Sequence, residues 1–247
     1  MSKKLPTRLA SEPIVEVVSE VRFDAAGDTA VNLLPGILHA QFGPFDQQGR
    51  TFPVSFPAEM LAADPSLAFR PQLAMSKDNR IIQVGPRVVS VALRAPYSGW
   101  TAFSAFIFRV FDVVCAQSFI HSFEWLSLKY LDVIAFEGES PALGWLDVDL
   151  CLGGSRIDQQ PSAVRVEQVD GPLTTVVQIT SPVQAHQAGQ PDKMGLLLDV
   201  DTIHREQFAD FPNQYREVLN QLHQRNKQQF FSLLTDETER RLEPEYA

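Results

Sequence analysis

Two Asp-Val-Asp segments, Asp147-Val148-Asp149 and Asp199-Val200-Asp201, hold the residue types with the most chemical potential in this chain. Side chains two apart on a strand point to the same face. On neighbouring strands the four carboxylates would cluster. An oxygen-only set of that kind suits Mg²⁺, Mn²⁺ or Ca²⁺ and metal-assisted phosphoryl chemistry. The same pattern has a plainer reading. Leu146, Val148, Leu150 and Leu152 would share one strand face, as would Leu196, Leu198, Val200 and Thr202. The aspartates then occupy the wet faces of half-buried strands. Carboxylates directly opposed without a metal also repel. The plainer reading is favoured, and a metal-dependent hydrolase or nuclease stands as an alternative.

A second constellation is aromatic. Tyr97 and Trp100 flank Gly99 at the start of an apolar helix, with Arg94 just before them. Such a group could stack a nucleobase or anchor a protein partner. It could equally pin the start of the helix, since Trp100 lies one turn from Phe103 and Ser104, and such spacing is usually core. Phe108 lies off the main stripe of that helix, which suits a subdomain or subunit contact. The five histidines form no HxH, HExxH or Cys-His ligand set, so no zinc or other cofactor is expected. His223 stands one turn before Lys227 beside an apolar helix face. That place suits packing better than general-base catalysis, which needs a convergent partner. No nucleophile elbow, P-loop or dinucleotide fingerprint occurs, and Gly153-Gly154-Ser155 reads as a turn.

The 247 residues suffice for a proper core without a disulfide or metal staple. A net charge of −9 argues against a nucleic-acid surface covering the whole protein, although a local basic groove is not excluded. The start has basic residues but no following apolar run, so no secretory signal is expected. The apolar stretch 100–120 carries Arg109 and Asp112 at its middle, each costing about 2.5–3.5 kcal/mol at a bilayer centre. No membrane association is expected. Cys115 and Cys151, at unrelated spacing, suit a reduced, cytoplasmic protein.

These residues need elements to position them. Alternation predicts strands at 14–23 and 121–136, and helical spacing predicts helices at 30–42 and 100–114. Pro35-Gly36 should leave the first helix short or irregular. The proline-rich stretch from Pro44 to Pro71 reads as a long loop with one helical turn near 58–63. A hairpin spans 73–93, with a bulge at Gly85-Pro86. The first half then follows a β-α-β-β-α-β, ferredoxin-like order, with the last strand antiparallel beside the first and Lys129 facing Glu16 or Glu20. Further strands are expected at 145–152, 163–169, 173–180 and 195–203, with a tight turn at Asp170-Gly171. A polar loop at 184–194, a long helix at 213–234 and a final helix capped from Asp236 follow. The fold class is α+β: antiparallel sheets with helices on one face and a long C-terminal helix. Two closely packed subdomains are expected, 1–138 and 139–247.

Several segments in order also resemble a known prokaryotic family of about this length, sporadically distributed among bacteria and archaea and without an assigned activity. The match rests on Pro13–Phe23 (PIVEVVSEVRF), Tyr97–Phe103 (YSGWTAF), Leu128–Asp132 (LKYLD), Leu198–Asp201 (LDVD), Leu222-His223, Phe230 and Leu234-Thr235-Asp236. Where the family tends to have Arg-Tyr-Ile-Asn, this chain has Lys129-Tyr130-Leu131-Asp132. Lys129 and Asp132 therefore mark a binding site that is altered here, if the family uses those positions. The patchy distribution implied by the resemblance favours a bacterial defence or toxin-neutralising system. With the missing catalytic signature, the acidic charge and the Pro/Phe-rich loop, the expectation is a non-enzymatic protein-binding or regulatory component of one, with a protein partner and a homo-oligomer both open. A nucleic-acid or nucleotide binder using Arg94, Trp100 and the basic start (Lys3, Lys4, Arg8) is the third reading.

Overall fold

In the computed structural model, which describes residues 5–51, 64–135, 142–185 and 193–246, two periodicities build the elements. A short β1 (Arg8–Leu9) precedes β2 (Ile14–Ala25), where Val17, Ser19, Val21, Phe23 and Ala25 are buried and the residues between them half-buried. Helix α1 (Thr29–Phe42) is followed by β3 (Gln47–Arg50), β4 (Leu73–Lys77), β5 (Arg80–Gly85) and β6 (Val88–Arg94). Helix α2 (Trp100–Cys115) then leads into β7 (Ile120–Ala135). The second half holds β8 (Cys151–Leu152), β9 (Ser155–Arg156), β10 (Ser162–Asp170), β11 (Leu173–Ala185) and β12 (Lys193–His204). Helices α3 (Phe211–Leu233) and α4 (Asp236–Arg241) and the short β13 (Pro244–Glu245) complete it.

Nine of these strands form one antiparallel sheet in the order β10-β11-β12-β7-β2-β6-β5-β4-β3. The α+β class and the long helix at 211–233 are as expected. So is the antiparallel pairing of the first strand with residues 120–135, for example Val17 opposite Tyr130. The six-element ferredoxin-like order is not confirmed, because four strands, not two, stand between α1 and α2. One extra strand is β3, in the proline-rich stretch read as a loop. Its four residues contain no proline, and it forms the sheet edge, where proline neighbours cost least. The other arises at Gly85-Pro86, which is a turn between β5 and β6, with Gly85 opposite Val88, rather than a bulge. A Cβ at Gly85 would lie 2.5 Å from the Arg70 carbonyl oxygen, so glycine is required there.

Other departures have similar causes. Helix α1 runs unbroken through Pro35, because Ala30, Leu34 and Leu38 bury one face against the sheet. Residues 145–152 are not a strand over their length. The Asp147 backbone N–H donates to the Leu233 carbonyl at the end of α3 (2.8 Å), not to a neighbouring strand. Helix α4 is capped by Thr235, whose hydroxyl accepts from the Thr238 N–H (3.2 Å), one residue earlier than expected. The expected turn at 58–63, Lys3, Lys4 and most of the polar loop at 184–194 lie outside the described residues.

The sheet crosses the expected boundary at residue 138, since β7 is hydrogen-bonded to both β2 and β12. Its buried apolar residues nevertheless form two clusters. One joins β2, β4 to β7, α1, α2 and the first half of α3, and the other joins β11, β12 and the end of α3. Of the two charges inside the apolar helix α2, Asp112 is answered from α3, where Tyr215 Oη and Arg216 both donate to it at 2.7 Å. Arg109 lies over the Phe42 ring of α1 at 5.2 Å. Among the described residues no helix is long and apolar enough to cross a membrane.

Helix α3 is registered on the sheet by one buried side chain. Asn226, 2% exposed, donates from Nδ2 to the Leu128 carbonyl on β7 (2.6 Å). Its Oδ1 accepts from the Thr202 hydroxyl on β12 (2.9 Å), which in turn meets Thr175 on β11 (3.3 Å). Asn226→Ala would leave buried polar groups unpaired, and orphaning such groups costs about 1–3 kcal/mol each. The expected outcome is a loss of about 2–3 kcal/mol in urea denaturation with an unchanged m-value.

Candidate functional site

A cavity of about 580 Å³ opens between one end of the β2–β7–β12 region and the helices. Val200 of β12 and four other places supply its walls. Residues 6–14, including β1, give Arg8 and Glu12; the start of α2 gives Tyr97 to Thr101; β7 gives Tyr130 and Asp132; and α3 gives His223, Asn226, Lys227, Phe230 and Phe231. Local geometry explains each contribution. From Leu126 onward the even-numbered residues of β7 face the helices, so Tyr130 and Asp132 point to the same side as buried Leu126 and Leu128. On α3, His223, Asn226/Lys227 and Phe230 follow i, i+3/i+4, i+7 spacing and share one face. At the start of α2, Gly99 adopts φ +87° and ψ 158°, a conformation reserved in practice for glycine, and it turns the chain so that Tyr97 and Trp100 both line the cavity.

One wall is a hydrogen-bonded aromatic layer. The Trp100 and His223 rings stack with centroids 4.1 Å apart and planes within 5°, and Trp100 Nε1 donates to Asn220 Oδ1 (3.1 Å). The Tyr130 hydroxyl meets His223 Nδ1 at 3.0 Å and the Tyr97 hydroxyl at 3.3 Å. Burial lowers the His223 pKa to about 4, with Lys227 adding to the effect, so the imidazole is neutral at neutral pH. Burial likewise lifts Tyr97 to about 12 and raises Tyr130, so both phenols stay protonated.

Asp132 is the unusual group. It is 3% exposed, lines the cavity and has no hydrogen bond or ion pair among the described residues. Loss of water raises its pKa well above 3.8, and the charges of Glu12 and Asp199 raise it further. Glu12, at the cavity rim, is raised by desolvation and pulled back by Arg8. Lys227 also lines the cavity unpaired among the described residues, its pKa lowered by desolvation.

The structure thus brings four of the sequence-derived candidates together: Tyr97, Trp100, Asp132 and His223. The remaining candidates lie outside the cavity lining. Arg94 pairs with Glu16 (3.3 Å) across β2 and β6 and does not line the cavity. Phe108 packs edge-on against Tyr215 of α3 (5.9 Å, 74°), a contact between the two expected subdomains, and does not line the cavity. Lys129, odd-numbered on β7, lies on the opposite sheet face. It meets Asp199 (3.5 Å) rather than Glu16 or Glu20, which pair with Arg94 and Arg22. The two Asp-Val-Asp segments are not neighbours: β12 lies between β7 and β11, whereas Asp149 pairs with Arg156 (3.1 Å) in an irregular segment. Among the described residues no group of three or more His, Cys, Asp or Glu could hold a metal ion. Asp199 and Asp201 flank Lys129 on the far face, where burial pushes Asp201 up to about 7.

Arg8, named from sequence as part of the basic start, also lines the cavity, whereas Glu12, Tyr130, Asn226, Lys227 and Phe231 were not singled out as site residues from sequence. Polar residues at 223, 226 and 227 inside an apolar helical stripe were the available signal. No protein-family model matches the chain, and no curated protein matches it.

The raised carboxyl makes a pH prediction. The native state holds the Asp132 proton above the pH at which the unfolded chain releases it. Its contribution to stability is therefore full below about pH 4 and declines as pH rises toward the native pKa. His223 works in the opposite sense, losing its contribution as pH falls from about 6.5 toward 4. Comparing Asp132→Asn with the parent cancels the histidine. The Tm difference in favour of the variant should widen as pH rises above 4 and level off once the native carboxyl ionises, as read by calorimetry.

Proposed function

We propose that the protein is a binding or regulatory component that captures a small organic molecule in this cavity. The observation that carries the reading is Asp132: a buried, unpartnered carboxyl opening onto a cavity of ligand size. An uncompensated buried acid destabilises the empty protein, and such costs concentrate at functional sites. The aromatic wall of Trp100, Tyr97 and His223 supplies apolar and π surface, and a cationic nitrogen on the ligand would satisfy Asp132 with a charge-assisted bond. Membership of a defence or toxin-neutralising system would fit a ligand-responsive regulator. That part of the proposal draws on the sequence resemblance alone.

Phenethylamine, an aromatic cation, is the probe for the cavity. Isothermal titration should show saturable binding with quenching of tryptophan fluorescence, weakened about tenfold or more in Asp132→Asn. Absence of binding to the parent protein would remove this reading.

A protein-partner reading has its own observation, the open edge of the sheet. Strand β10 is exposed along most of its nine residues and shows Val166 and Val169 to solvent. Antiparallel pairing with a second copy about Val166 would set Arg165 opposite the partner's Glu167, a self-complementary charge pattern. Light scattering should then give a dimer that Val166→Pro converts to monomer; a monomeric parent at high concentration removes this reading.

A further inference from the structure

The cavity carries charge of both signs, and the two are not paired with each other. At one pole stands Asp132, with Glu12 close enough to act on it. At the other stands the Lys227 ammonium on α3, without a hydrogen bond or ion pair among the described residues. Asp132 and Lys227 form no ion pair with each other, and Arg8, the other cation of the lining, acts on Glu12. The apolar surfaces of Trp100, Phe230 and Phe231 complete this part of the lining.

We propose that the cavity selects a zwitterion of dipeptide size, its cationic nitrogen on Asp132 and its anionic group on Lys227. The inference rests on the cavity being a ligand site and adds the ligand's class. A ligand with a single charge satisfies one pole and leaves the other desolvated without a partner. An α-amino acid, with its ammonium and carboxylate on one carbon, would leave most of a cavity of about 580 Å³ unfilled. A short peptide separates them by several bonds and places a side chain between them, against the aromatic surface.

Titration of the full chain with the dipeptide Ala-Phe, its N-acetyl form and its C-terminal amide tests this. Ala-Phe should bind, and each blocked form should bind about tenfold or more weakly, the worth of one charge-assisted contact. Asp132→Asn should erase the penalty for N-acetylation and leave that for amidation. Lys227→Met should do the reverse. Either blocked peptide binding as tightly as Ala-Phe would overturn the zwitterion, as would failure of all three peptides to displace phenethylamine. In both cases phenethylamine binding would show that the cavity reading survives. Loss of phenethylamine binding as well would take both down together.

Discussion

The position of α3 depends on Asn226. A helix laid on a sheet through apolar contacts alone can slide by a turn at modest cost, because dispersion and burial are not directional. Asn226 removes that freedom. Its amide reads a backbone carbonyl on β7 and a hydroxyl on β12 at once, and a shift of one residue in either direction would break both bonds in a dry interior. His223 and Lys227, on the turn before and at the next position, inherit that register. So do the stack on Trp100 and the bond to Tyr130. The aromatic wall is thus set by a polar contact a few residues away.

Strand β7 divides charge between the two faces of the sheet. Lys129 goes to one side, where Asp199 answers it, and Tyr130 and Asp132 go to the other. The far face behaves as a structural surface. There Arg22 lies over Trp125 at 4.0 Å and over Phe69 at 4.8 Å, and Glu20 closes an ion pair with Arg22. The near face keeps its carboxyl unanswered. Strand periodicity alone accounts for this division, since adjacent residues cannot share a face.

Much of the fold was legible from local pattern. The alternation at 14–23 and the i, i+3, i+4 spacing at 100–114 located β2 and α2, and the antiparallel partnership of β2 with β7 followed from their order. What escaped was decided by neighbours rather than by sequence period. Residues 145–152 alternate like a strand but bond to the end of α3, and Gly85-Pro86 is a turn rather than a bulge, with Gly85 packed too close to the Arg70 carbonyl for any side chain. The candidate site was half legible. Tyr97, Trp100, Asp132 and His223 were noticeable by type and motif, but their convergence depends on pairing between residues far apart in the chain. Glu12 and Lys227 looked like ordinary surface charges, and only the cavity distinguishes them. The Asp-Val-Asp pairs misled because identical words in a sequence need not be neighbours in space.

The wall formed by residues 6–9 is itself held from far along the chain. Arg8 and Leu9 pair with Glu245 and Pro244, and the Thr7 N–H donates to the Glu245 carbonyl at 2.7 Å. During synthesis, β2, β7 and the helices can dock while this clasp is still missing, because its second half is made more than two hundred residues after its first. The Ala10 and Ser11 N–H groups extend the clasp to the carbonyls of Glu243 (3.0 Å) and Leu242 (3.2 Å), so only a nascent or clipped chain ending before Leu242 would lack every one of these backbone bonds. The clasp therefore makes completion of the cavity contingent on translation having passed this point, and couples the site to the integrity of the polypeptide.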